Sequence, residues 1–230
     1  DLLNSLEKQD LPESEFEVVF VDDGSQDNSV EIILGRKHVN WKVLKQPNKK
    51  QGAARNNGLA HSSAEYVWFV DGDDALAPNC LGKLYLTAKT NNLDVLLFKI
   101  NKVKQGSVIG QIPENEFAAQ NRVLGGADYL NMRQLTLCSV YIYKRSFLTE
   151  NNLRYIEGVF FEDSEFMPRV FCLAKRIMFI PMPAYIYIER ANSTTKSFTA
   201  EKFVSSAAAT VQMCTNAALA GKNVCAAMHY

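Results

Sequence analysis

Short apolar segments alternate with helix-like segments of about ten residues through the first part of this 230-residue chain. The apolar segments predict strands at residues 16–21, 41–44, 66–70 and 94–98. Strands that alternate with helices are joined by right-handed crossovers, which lay the strands side by side in a parallel sheet. We therefore predict an α/β fold in which helices flank a mostly parallel, Rossmann-like sheet.

The helices of this first part are predicted at residues 27–37, 52–61 and 78–90. Beyond about residue 100 the pattern is less regular. Further strands are predicted at residues 140–143, 177–180 and 184–188, and a further helix at 164–174. Residues 106–120 predict an irregular excursion or a hairpin, and the alanine-rich residues 201–220 predict a helix. Because we find no repeat and no low-complexity linker, we expect one domain over residues 1–230.

Bulk composition excludes several classes of protein. The chain carries 25 basic and 25 acidic side chains, so its formal net charge of zero predicts no nucleic-acid partner. Its five cysteines are odd in number and widely spaced, which predicts neither a disulfide framework nor a zinc site. We find no signal peptide and no apolar run of the roughly 18 residues that a membrane span needs. A soluble, cytoplasmic protein is therefore expected.

The segment Asp71-Gly72-Asp73-Asp74 directly follows the apolar strand at residues 66–70. Open α/β sheets place their ligands at the carboxyl ends of strands. Side chains two residues apart on an extended chain point the same way, so Asp71 and Asp73 are expected to converge on one cation. Their hard oxygen atoms suit Mg²⁺ or Mn²⁺. The alternative is a polar turn in which Asp74 caps the next helix.

Two further polar segments follow predicted strands. Asp22 and Asp23 end the first strand, where a carboxylate can accept hydrogen bonds from a nucleobase or a ribose hydroxyl; a plain helix start is the alternative. Arg55 lies near the amino end of a predicted helix, a combination that suits a phosphate or the rim of a base; an ordinary surface arginine is the alternative. Asn56 and Asn57 are poor helix formers, which suggests that this helix is shaped for a purpose.

Together, residues 21–25, 52–59 and 69–74 resemble the motifs of family 2 glycosyltransferases in both order and spacing. These are inverting enzymes of the GT-A fold that use nucleotide-activated sugars. By this resemblance Asp23 would bind the nucleobase and Arg55 the base or a phosphate, while Asp22 stays a substrate-binding candidate from its place after the strand. Asp71 would lie near the ribose, Asp73 would bind the metal that bridges the diphosphate, and Asp74 would assist in the same shell. The family usually opens with a further apolar strand, which we expect to be missing from the chain as given.

The second half supplies candidates for the reaction itself. Transfer of a sugar by a single displacement needs one base opposite the departing diphosphate. Glu162 and Asp163 resemble the family's acidic pair, so Asp163 is the predicted base and Glu162 its neighbour or an acceptor contact. The alternative is a helix start whose acids suit the helix dipole, and such a position would lower the pKa of a carboxylate. Arg190 lies in a segment similar to the family's tyrosine-arginine-serine motif, where it would reach the diphosphate or the acceptor. A solvated loop is the alternative interpretation of this segment. Its Ser/Thr-rich continuation is a candidate for a mobile lid.

The resemblance implies an inverting, metal-dependent glycosyltransferase using Mn²⁺ or Mg²⁺. It would move a hexosyl or N-acetylhexosaminyl group from a nucleoside diphosphate sugar, UDP being the commonest carrier, to a glycan or lipid-linked acceptor in bacterial polysaccharide synthesis. Residues 1–100 would bind the sugar donor, residues 101–200 the acceptor, and residues 201–230 would form a carboxy-terminal helical segment. A lipid-linked acceptor would bring the protein to the inner face of the membrane. A sugar nucleotidyltransferase and a catalytically silent binding module are the alternatives.

Overall fold

The computed structural model of the chain describes residues 1–113, 120–131, 140–190 and 204. The strands are β1 (Val18–Asp22), β2 (Trp41–Lys45), β3 (Tyr66–Trp68), β4 (Ala75–Leu76), β5 (Val95–Lys104), β6 (Ser107–Ile112), β7 (Ile142–Lys144) and β8 (Ile177–Ile188). The helices are α1 (Leu2–Leu6), α2 (Ser29–Leu34), α3 (Lys50–His61), α4 (Leu81–Thr90), α5 (Gly126–Asn131), α6 (Arg145–Glu150) and α7 (Asp163–Leu173), with a 3-10 helix at Glu13–Glu15.

The predicted strands and helices of the first hundred residues are all present, with boundaries that move by a few residues. The two strands predicted at 177–180 and 184–188 form the single strand β8, whose register against β5 shifts next to its prolines, Pro181 and Pro183. A hairpin of β5 and β6 occupies the start of the predicted excursion at 106–120. Apart from residue 204, the predicted helix at 201–220 lies outside the described residues, as does the Ser/Thr-rich segment after Arg190.

The α/β class is confirmed, but the strand pairing is mixed rather than mostly parallel. Among the described strands, β1 pairs with β2 and β5 with β8 in parallel, and the other four pairings are antiparallel. The larger sheet has the order β3-β7-β5-β8-β4, with β6 beside β5. Alternation along the sequence constrains only neighbouring crossovers, whereas β7 and β8 come from distant parts of the chain and insert beside β5. The prediction of a mostly parallel sheet therefore failed at the β5–β6 hairpin and at the pairs β3–β7, β5–β7 and β4–β8, while the distant pair β5–β8 is parallel.

The core is built around β5 and the helix α7 that packs near it. Four consecutive β5 side chains are at most 2 % exposed, namely Val95, Leu96, Leu97 and Phe98. A strand buried on both faces explains why this segment reads as a continuous apolar run. Phe166, Val170 and Phe171 of α7 are also almost fully buried. No helix within the described ranges is both long and apolar enough to cross a membrane.

The contact between α5 and α7 depends on a glycine. A Cβ atom built on Gly126 would lie 1.8 Å from the carbonyl oxygen of Phe171, a distance that no real contact allows. The backbone N–H of Gly126 also donates to the carbonyl of Ala174, at 2.8 Å. These two backbones therefore approach too closely for any residue with a side chain.

We expect Gly126→Ala to lower the free energy of unfolding by about 2–3 kcal/mol, because the added methyl group must push α5 away from α7. Gly110→Ala is the matched control, since a Cβ there would have only ordinary contact with Lys102, at 3.9 Å. Urea denaturation of both variants measures the difference. Equal stability of the two variants would contradict the packing described here.

Candidate active site

Arg55 of α3 joins the two halves of the chain by bridging two carboxylates. Its Nη2 donates to Asp71 Oδ1 at 2.7 Å, and its Nη1 donates to Glu162 Oε1. The Arg55 side chain is 11 % exposed and that of Glu162 only 3 %. Burial acts to lower the pKa of Arg55, but the opposing charges of Asp71 and Glu162 outweigh it and hold this pKa above its ordinary value. The guanidinium is therefore permanently charged and fixes Asp71 and Glu162 on either side of itself.

An aromatic ring lies beneath the guanidinium. The Arg55 Cζ atom is 5.3 Å from the centre of the Tyr155 ring, within the range of a cation–π contact. Tyr155 in turn stacks on Phe166 of α7, with ring centres 3.9 Å apart. The ion bridge thus rests on the same packed layer that holds α7.

Asp163 follows Glu162 and is the first residue of α7. Burial, and after it the negative charge of Glu162, raise the pKa of Asp163 to about 6, while the positive charge of Arg55 acts in the opposite direction. Desolvation therefore dominates over the lowering expected from a helix amino end. Phe161, two residues before Asp163, has a φ of +60°, a conformation that is uncommon for residues other than glycine and recurs at functional sites. Asp163 is ionised at neutral pH and is a stronger base than an ordinary aspartate.

The loop after β3 separates its three aspartates. Asp71 faces Arg55, whereas the Asp73 side chain is 63 % exposed and lies 3.4 Å from Arg190 Nη1. Asp74 is 3 % exposed, and its two oxygens accept hydrogen bonds from the Tyr185 hydroxyl at 2.6 Å and from the Ile188 N–H at 2.9 Å. Burial, the largest cause, raises the pKa of Asp74 to about 6.

Asp74 therefore faces β8. Helix α4 begins only at Leu81, after β4, so Asp74 does not cap it as the alternative interpretation proposed. The Tyr185 hydroxyl also accepts a hydrogen bond from the Asp71 N–H, at 3.2 Å. Through these bonds β8 anchors the loop on which Asp71 and Asp73 are carried.

The acidic segment after β1 is held by local hydrogen bonds. Asp22 Oδ1 accepts from the Ser25 N–H at 2.9 Å, and the hydrogen bonds from Ser25 lower the pKa of Asp22. Gly24 has the positive φ, +84°, that the predicted turn requires. Asp23 Oδ1 accepts from Gln46 Nε2 at 2.7 Å and from the Lys49 N–H at 2.8 Å. The structure thus ties Asp23 to the segment that leads into α3.

A groove of about 600 Å³ lies beside that segment, between α3 and residues 154–157. Gln46, Lys49 and Asn57 are among its lining residues, while the carboxylates of Asp71 and Asp163 are not. The groove therefore adjoins the partners of Asp23 and not the ion bridge.

Sequence reasoning missed two residues that organise the site. Tyr185 lies in a predicted strand with a second tyrosine two positions later, and the strand pattern alone does not show which tyrosine meets the acidic loop. Gln46 belongs to none of the predicted motifs, although it connects Asp23 with Asn57 by hydrogen bonds at 2.7 and 2.8 Å. Both roles depend on contacts between segments that are far apart along the chain.

Comparison with known proteins identifies the family. The family model described as "Glycosyl transferase family 2" matches residues 1–162. This chain belongs to that family. The resemblance of the three motifs is therefore confirmed.

Among curated proteins, the poly(ribitol-phosphate) beta-N-acetylglucosaminyltransferase TarS of Staphylococcus aureus is 34 % identical over 192 residues, covering 81 % of this chain and 32 % of TarS. The uncharacterized glycosyltransferase EpsJ of Bacillus subtilis is 29 % identical over 203 residues, covering 85 % of this chain and 58 % of EpsJ. The chain thus spans a third to somewhat over half the length of these two family members.

The fold is also that of a solved family member. A crystal structure of S. aureus TarS 1–349 in complex with UDP-GlcNAc superposes with a TM-score of 0.75 at 27 % sequence identity, covering 92 % of this chain and 61 % of that one. The predicted GT-A fold is confirmed by this similarity.

Removing the arginine of the ion bridge should leave Glu162 buried without its partner. We expect Arg55→Ala to lower the free energy of unfolding by about 3 kcal/mol, and Arg55→Ala/Glu162→Gln to regain part of that loss. Arg36→Ala is the control, because its ion pair with Glu7 is about one third exposed on both sides and should contribute less than about 1 kcal/mol. Urea denaturation measures the free energy of unfolding of all three variants. A loss for Arg55→Ala no larger than the loss for Arg36→Ala would refute the bridge.

The raised pKa of Asp163 predicts a stability that depends on pH. The folded state holds the Asp163 proton more tightly than the unfolded state, so ionisation destabilises the fold as the pH rises from about 4 to about 6. Asp163→Asn should therefore melt at a higher temperature than the original chain at pH 8, and the difference should vanish below about pH 4. Asp27→Asn is the control, since hydrogen bonds to Ser29 lower the pKa of Asp27 and its replacement should bring no such gain. A gain in melting temperature for Asp163→Asn that does not change with pH would contradict the raised pKa of Asp163.

Proposed function

We propose that this chain is the catalytic domain of an inverting glycosyltransferase that moves a sugar from a nucleoside diphosphate sugar to a hydroxyl group of a glycan or lipid-linked acceptor. The observation that carries the proposal is the Arg55 bridge. It brings Asp71, on the predicted donor side, and Glu162, beside the predicted base, to one guanidinium. UDP-GlcNAc is the first sugar donor to test, because TarS, which shares this fold, was solved with that molecule.

In the proposed reaction Asp163 accepts the proton of the acceptor hydroxyl as its oxygen attacks the anomeric carbon. The bond from that carbon to the nucleoside diphosphate breaks on the opposite face, so one displacement inverts the configuration. A base with a pKa of about 6 is ionised at neutral pH, as this role requires. Glu162, held by Arg55, lies beside Asp163 and acts to raise the pKa of Asp163.

The leaving diphosphate needs its charge neutralised. Within the described residues no cluster of three metal-binding side chains is present. Mg²⁺ and Mn²⁺ are commonly held by one or two carboxylates together with substrate phosphates and water, so the exposed carboxylate of Asp73 fits such an ion. When bound, the metal would stabilise the charge on the diphosphate. Arg190, which contacts Asp73, is placed to add a second positive charge.

The remaining assignments follow the family resemblance. Asp22 and Asp23 would serve the nucleobase region, and Asp71 the ribose. The buried Asp74 would support the loop from behind rather than touch the substrate. A lipid-linked acceptor would bring the domain to the cytoplasmic face of the membrane.

Binding and turnover separate this proposal from the two alternatives. UDP with Mn²⁺ should raise the melting temperature of the original chain and of Asp163→Asn alike, and transfer from UDP-GlcNAc should be lost only in the variant. The rate of the original chain should rise with pH through an apparent pKa near 6. A silent binding module would bind UDP in both forms without turnover, and a nucleotidyltransferase would release diphosphate from UTP and a sugar phosphate. If a panel of nucleoside diphosphates leaves the melting temperature unchanged, the proposal fails.

A further inference from the structure

Two adjacent asparagines in the middle of α3 point to different parts of the site. The Asn56 side-chain amide pairs with both backbone groups of Tyr155: its Oδ1 accepts from the Tyr155 N–H and its Nδ2 donates to the Tyr155 carbonyl, each at 2.9 Å. Its Nδ2 also donates to Glu157 Oε1 at 3.0 Å. Asparagine is unfavourable inside a helix, so these three bonds offset a local cost.

Asn57 makes no bond of this kind to the 155–157 segment. Its Nδ2 donates to Gln46 Oε1 at 2.8 Å, and Gln46 Nε2 donates to Asp23 Oδ1 at 2.7 Å. Asn57 is thereby connected to the acidic loop after β1. Successive residues of a helix are about 100° apart, which is why two neighbours can serve two directions.

The contact made by Asn56 is reinforced one turn earlier in α3. A Cβ atom on Gly52 would lie 2.3 Å from the carbonyl oxygen of Ile156, so the 155–157 segment passes directly against the helix backbone. Residues 52 and 56 share one face of the helix, because they are four positions apart. Both positions therefore hold residues 155–157 against α3.

That segment leads to the predicted base. Tyr155 lies under Arg55 and stacks on Phe166 of α7, the helix that begins with Asp163. A shift of residues 155–157 would move Tyr155, and with it the start of α7, relative to Arg55. Misplacement of a reacting group by about 1 Å can lower a rate by about 100-fold.

We propose that Asn56 and Asn57 are positioning residues with separate duties: Asn56 sets the place of Asp163, and Asn57 sets the place of Asp23. This inference rests on the proposed function. By this inference Asn56 controls the rate of transfer, and Asn57 controls the affinity for the nucleoside diphosphate. Neither side chain needs to touch the substrate.

The test compares Asn56→Ala, Asn57→Ala and Gly52→Ala, with Asn91→Ala as the control. Asn91 lies at the end of α4, and its Nδ2 donates only to its own helix, at the Thr87 carbonyl. Asn56→Ala and Gly52→Ala should lower kcat by about 10- to 100-fold while leaving the KM for UDP-GlcNAc and the Kd for UDP with Mn²⁺ within about threefold. Asn57→Ala should instead raise that KM and Kd by about five- to tenfold with little change in kcat. Asn91→Ala should change none of these values.

Melting temperatures are recorded for every variant, so that a loss of folding is recognised. If Asn56→Ala does not fold, Asn56→Asp replaces it, because it keeps the size and the acceptor for the Tyr155 N–H, while the two donated bonds become repulsions from the Tyr155 carbonyl and from Glu157. The inference is overturned if the Asn56 and Asn57 variants change kcat and KM in the same way, or if the melting temperature alone changes. Failure of the original chain to bind any nucleoside diphosphate would instead overturn the proposed function.

Discussion

The structure depends on one buried positive charge. Arg55 is almost inaccessible to water, and a guanidinium in that position is tolerated only if carboxylates surround it. Asp71 comes from the loop after β3 and Glu162 from the start of α7, about 90 positions later in the sequence. The need to neutralise Arg55 therefore draws both segments to α3.

The rest of the site can be understood as support for that arrangement. The Tyr185 hydroxyl and the Ile188 N–H of β8 bind Asp74 and so hold the acidic loop from its buried side. This leaves Asp73 as the exposed member of the loop, where its carboxylate pairs with Arg190. Asp163 is a second carboxylate beside Glu162. Burial, and after it the charge of Glu162, raise the pKa of Asp163, so it is more basic than an aspartate in water. The two adjacent acids thus lie in different surroundings, Glu162 bound to Arg55 and Asp163 beside it.

Helix α3 connects the parts of the site that the chain supplies separately. It carries Arg55 towards the two carboxylates, Asn56 towards residues 155–157, and Asn57 towards the partner of Asp23. A glycine at position 52 lets the second half of the chain approach its backbone. The poor helix propensity of this segment follows from these contacts, since residues chosen for hydrogen bonding and close approach are not those that favour an isolated helix.

The sequence by itself determined the α/β class, the strands and helices of the first hundred residues and the family, because apolar periodicity and the acidic motifs are local properties. It also singled out Asp23, Arg55, Asp71, Asp73 and Asp163. Only the tertiary structure decided that most pairings among the described strands are antiparallel, that Asp74 faces inward to Tyr185, and that Arg55 is shared between Asp71 and Glu162. Each of these facts is a contact between residues far apart in the chain, and burial and pairing energies select such contacts where no local pattern records them.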